Sequence, residues 1–213
     1  MNHPTIFDII ILLLTGATAA YAIFRFLKRW SWEKKVYVWY YVMGFLVLLV
    51  SGVLLIFMGY DILGTPFVLT VASLIPLGIS MGIAEQYYPQ WKKGLKWFAT
   101  IGFLAIAIST FAGIDLLRKI SVPLFHCVAG LVIFLGPFFA NKYGQGKKAA
   151  RGFWWVGVGG ALIGIGGIAL AFLTVGKSLL GIFTADLVFN ILSPLLLLMT
   201  IAFTWGFVKD IVN

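Results

Sequence analysis

The chain has 213 residues, 62% hydrophobic and 11% charged, with a formal net charge of +9 and a mean hydropathy of +1.03. A soluble domain carries about 25% charged residues, so this composition excludes a water-soluble globular protein and makes lipid the solvent. In a soluble chain the excess of Lys and Arg would suggest nucleic acid; here the positive-inside rule accounts for it, and no nucleic-acid partner is expected.

In chain order, seven segments approach the ~20 apolar residues that span a bilayer. They run over about 6–27, 36–59, 67–87, 97–114, 122–140, 153–176 and 180–207. Continuous apolar runs lack the two-residue alternation of a membrane barrel. The fold class is therefore an all-α integral membrane protein, a seven-helix bundle forming one domain over 1–213. The N-terminus has no basic n-region, carries Asp8 and shows no small-residue cleavage site, so residues 6–27 read as a membrane helix and not a signal peptide.

Lysines and arginines orient the bundle. Arg25, Lys28, Arg29, Lys34 and Lys35 follow the first segment, Lys92, Lys93 and Lys96 the third, and Lys142, Lys147, Lys148 and Arg151 the fifth. With Lys209, 13 of the 16 basic residues fall on one side. That side is expected to be cytoplasmic, with the N-terminus outside. Basic loops there suit anionic lipid headgroups. Aromatic residues cluster beside the same loops, among them Trp30, Trp39, Tyr41, Tyr87, Tyr88, Trp91, Trp154 and Trp155. They read as an interfacial belt.

Self-comparison suggests a duplication. Pro4 and Pro123 open the first and fifth segments, and Lys34-Lys35 and Lys147-Lys148 precede the second and sixth. Ser51–Met58 matches Gly166–Leu173, and Leu74-Ile75-Pro76-Leu77 matches Leu192-Ser193-Pro194-Leu195. The implied plan is 3+1+3 with parallel repeats: residues 1–96, a linker helix within 97–121, and 122–213. This plan resembles that of the sugar-transporting SWEET and PQ-loop proteins in architecture and orientation. Their Pro-Gln pair belongs inside the first helix of each repeat, whereas Pro89-Gln90 stands in a loop here, so no residue role carries over. A microbial rhodopsin would need a mid-helix lysine in the seventh segment, and there is none from Ser178 to Val208.

An ionisable residue at membrane depth costs roughly 2.5–3.5 kcal/mol on insertion scales, so each is a candidate. Asp186 and Asn190 share a helix face within Thr184–Pro194. They read either as an ion or solute site or as a structural clamp. His126 and Asp8 occupy related positions in the two repeats and read as a proton-coupled pair or as satisfied structural groups. Together these outer-half residues predict a polar vestibule open to the outside. Pro76 and Pro194 are expected helix kinks. Gly160, Gly164 and Gly167 read as a close-packing face. Cys127, the single cysteine, excludes an internal disulfide and is expected to be buried and inert. No residue grouping points to catalysis, a metal or another cofactor. The expected function is a small transporter or channel-like protein. The alternative is a non-catalytic subunit of a larger membrane complex, such as a respiratory assembly, and either homo-oligomers or larger complexes are compatible.

Overall fold

The computed structural model describes residues 3–174 and 185–212, except the side chains of 168–174, 185–186, 189 and 211–212. Among the described residues every regular element is a helix, and there is no strand. The helices are α1 (Ile6–Glu33), α2 (Tyr37–Met58), α3 (Pro66–Ala72), α4 (Leu74–Tyr87), α5 (Lys92–Phe111), α6 (Asp115–Tyr143), α7 (Trp154–Thr174) and α8 (Ala185–Val212), with a 3₁₀ turn at Tyr60–Gly64. Among the described residues six spans, taking α3 and α4 as one, are long and apolar enough to cross a membrane. By length and composition they point to a polytopic membrane protein.

Local chemistry sets the ends. At the start of α1, the Asp8 amide donates to Thr5 Oγ1 at 3.2 Å, and the Thr5 amide donates to Asp8 Oδ2 at 2.9 Å. This reciprocal pair satisfies two donors that the first turn leaves without helical partners. Thr5→Ala should therefore lower stability by about 1 kcal/mol, read as a drop in melting temperature in mild detergent. At the other end Lys34 closes α1 with φ 51°, its amide donating to the Trp30 carbonyl.

The third apolar segment is not one rod. Thr65 caps α3, with Pro66 at the first helical position, where its missing N–H costs nothing. Ser73 then turns the chain, its hydroxyl donating back to the Thr70 carbonyl at 2.6 Å. Pro76 falls in the first turn of α4, where amides have no helical partner anyway. The break thus lies at Ser73, and Pro76 helps to start a helix. In contrast, α8 continues through Pro194, and α6 continues through Pro123 and Pro137.

The rods form a ring in chain order. α1 packs on α2, α2 on α4, α4 on α6, α6 on α7, α7 on α8, and α8 closes on α1; α5 lies outside against α3, α4 and α6. The core is aromatic at the basic end. Phe26, Tyr41 and Phe207 bring α1, α2 and α8 together with ring centroids 4.4–5.3 Å apart. Offset and edge-on rings at such separations attract beyond their simple burial. Gly82 makes room for Tyr41: a Cβ there would lie 2.3 Å from its ring.

Two expectations change here. Tyr41, Tyr87 and Tyr88 are buried and belong to the core, not to a surface belt, because α2 and α4 face each other along that stripe. Cys127 is exposed, because the face of α6 that carries it lines a cavity. Asp115 opens α6 and pairs with Arg118 at 2.7 Å.

Candidate functional site

Two places in the bundle concentrate its chemistry. The first is a buried ionic cluster at the basic end, centred on Asp210 of α8. Its carboxylate meets Lys147 Nζ at 3.2 Å and an Arg29 guanidinium nitrogen at 3.6 Å. It also accepts from Gln86 Nε2 at 3.1 Å and from the Ala150 amide at 3.1 Å. Arg29 reaches Glu33 at 2.9 Å, the Tyr37 hydroxyl donates to Glu33, and Tyr41 donates to Gln86 Oε1 at 2.9 Å. Two cations and two carboxylates balance, so the charges stay paired where water is scarce.

The loop between α6 and α7 builds this cluster. Its Gly146 and Lys147 amides donate to the Tyr87 and Gln86 carbonyls, acceptors at the C-terminal end of α4 that the helix itself leaves unpaired. A Cβ on Gly146 would lie 2.2 Å from the Gln86 carbonyl oxygen, so only glycine allows that approach. Asn141 grips the loop from α6, with Nδ2 donating to the Ala149 carbonyl and Oδ1 accepting from the Ala149 amide. Lys147 and Ala150 are thereby held against Asp210.

The second place is a cavity of about 700 Å³ between α6 and α7, backed by Pro76 of α4. Along α6 it is lined by Lys119, Pro123, His126, Cys127 and Gly130. On α7 the glycines shape it. A Cβ on Gly160 would meet α6 backbone at 2.7 Å, whereas among the described residues nothing lies within 4 Å of one on Gly164, Gly167 or, opposite them, Gly130. The two helices touch at Gly160 and leave a gap beyond it, towards the Lys119 end. His126 donates its Nδ1–H to the Val122 carbonyl at 2.9 Å, which leaves Nε2 as an acceptor.

The residues singled out in the sequence are scattered. His126, Pro76, Gly164 and Gly167 meet in the cavity. Asp8 lies elsewhere, on its Thr5 cap and within electrostatic reach of Tyr60 and Ser193. Tyr60 and Ser193 share a 2.6 Å hydrogen bond. Burial pushes the Tyr60 phenol above its ordinary range and the nearby Asp8 carboxylate pushes the same way, against the Ser193 bond, so the phenol keeps its proton at neutral pH. His126 and Asp8 are thus not a pair. Asn190 is exposed and does not face the interior: it shares a face with Pro194 and Ile201, while Ser193, Thr200 and Phe207 take the inner face. The Asp186 side chain and Thr184 lie outside the described residues. Among the described residues no three His, Cys, Asp or Glu side chains gather as a metal site requires.

Asp210, Gln86 and Glu33 were not marked by the sequence. Each sits at a helix end among cationic or polar neighbours, where a charge ordinarily means an exposed interface. No family model matches the chain, and neither does a curated protein or a solved structure.

Proposed function

We propose that this chain is a seven-span membrane protein that takes an apolar-tailed molecule from the lipid into the cavity between α6 and α7 and carries it as a small transporter does. The supporting observation is the cavity itself, about 700 Å³ with a nearly all-apolar lining. That volume is within the usual range of ligand sites. The solute class moves from polar to apolar because Asp115 and His126 bond within their own helix while Asp8 turns to Thr5, Tyr60 and Ser193, so the three do not share a polar vestibule. The basic end, set inside by its Lys and Arg excess, is filled by the Asp210 cluster and the aromatic core, which disfavours an open pore. The 3+1+3 repeat belongs to this reading: α1, α2, α4 and α6, α7, α8 take equivalent neighbours in the ring, with α5 outside.

Gly164→Leu tests it. The side chain would grow into open space and fill the cavity without disturbing helix contacts. In nanodiscs of zwitterionic lipid, the wild type should bind tritiated palmityl alcohol saturably, and Gly164→Leu should reduce that binding at least tenfold. Equal binding by both proteins would remove the carrier role and favour the non-catalytic subunit of a larger membrane complex.

A further inference from the structure

We infer that the occupant of the α6–α7 cavity is a single-chain anionic amphiphile, drawn from the leaflet at the Lys119 end; this rests on the carrier reading above. Shape supports a tail. Lys119, Pro123, His126, Gly130 and Phe134 line the cavity at helical spacing along one face of α6. At 1.5 Å per residue the stripe is about 22 Å long, more than half the ~30 Å hydrocarbon thickness. The cleft is closed at its deep end, where Gly160 meets the Ile133–Phe134 backbone, and widens past Gly130 and Gly164. A flexible chain entering from the open end would fit this wedge, and a bulky rigid solute would not.

Charge supports the head. Among the described residues that line the cavity, Lys119 is the only charged one and none is an acid. Among the described residues Lys119 makes no ion pair, because the nearby Asp115 is taken by Arg118 at 2.7 Å. An unpaired ammonium at the mouth of an apolar cleft can hold its charge at the interface while its stem lies along the apolar wall. A carboxylate or phosphate head there would gain a partner as its tail left the bilayer. His126, also on the lining, is seven residues deeper, about 10 Å, and its Nε2 is left without the Val122 bond. It offers an acceptor, so it suits a donor within the body of the occupant and not the anion.

The test compares tritiated palmitate with palmityl alcohol, in nanodiscs of zwitterionic lipid, for wild type, Lys119→Gln and Gly164→Leu. Wild type should bind palmitate about tenfold more tightly than the alcohol. Lys119→Gln should erase that preference, bringing palmitate affinity down to that of the alcohol. Acetate in excess should not displace palmitate, which identifies the ligand as a membrane amphiphile and not a free anion. A preference unchanged by Lys119→Gln would overturn the head assignment while leaving the cavity's role standing. Displacement by acetate would overturn the membrane source. Palmitate and alcohol binding both unaffected in Gly164→Leu would instead sink the carrier reading beneath it.

Discussion

Asp210→Ala is expected to destabilise the protein by about 3–5 kcal/mol, the cost of removing one partner from a buried ion pair. The substitution takes from Arg29, whose side chain is only 5% exposed, one of its two carboxylates and leaves it Glu33 alone, and it removes the acceptor for Gln86 Nε2 and the Ala150 amide. Lys147 suffers less, since its side chain is 35% exposed and can turn to water. In a chain of this length the loss should appear as a fall of roughly 10 °C in melting temperature, followed by size exclusion in mild detergent. The double variant Arg29→Met with Asp210→Leu should melt above either single variant, because replacing both charges by apolar groups leaves neither buried charge unpaired. Glu33 would lose Arg29, but it is 39% exposed and stays solvated. If Asp210→Ala melted within a degree of wild type, the cluster would not be what holds the loop between α6 and α7 to α8.

The second large effect separates two glycines one helical turn apart. Gly160→Leu should cost about 1–3 kcal/mol or more through overpacking, since its Cβ would sit 2.7 Å from the Phe134 amide nitrogen and 2.8 Å from the Ile133 carbonyl carbon. Both are main-chain atoms of α6 and cannot swing away as a side chain does. A Cβ on Gly164 meets nothing within 4 Å among the described residues, so Gly164→Leu should be neutral or slightly stabilising, given leucine's better helix propensity. Intrinsic propensity is the same in both cases, so the difference between their melting temperatures reports packing alone. Equal effects would mean that α6 and α7 are no closer at Gly160 than at Gly164.

That pair of glycines shows the limit of reading a sequence. A small-xxx-small spacing tells that a helix can be approached closely, because the motif is a property of one face. It does not tell how far along the face the partner stays. α6 supplies that answer by touching α7 at Gly160 and leaving Gly164 uncovered. The same holds for Pro76, whose role depends on the turn at Ser73 that precedes it. It holds as well for Asn190, whose angular position on α8 became meaningful only once the inner face was known to run through Ser193, Thr200 and Phe207.

By itself the sequence determined the class of molecule. Apolar run length, low charge and the one-sided Lys and Arg are properties of local composition, and the bilayer acts on them segment by segment. Several local devices were within its reach too, such as the Asp115–Arg118 pair, set by helical spacing. Only the tertiary structure decided where the chemistry gathers. Asp210, Arg29 and Gln86 are far apart in the chain and carry the residue types of an ordinary solvated helix end. Their burial follows from the ring closing α8 on α1 and from a glycine-bearing loop laid across the end of α4. The cavity is likewise a property of two helices that diverge, and no single segment encodes the space between them.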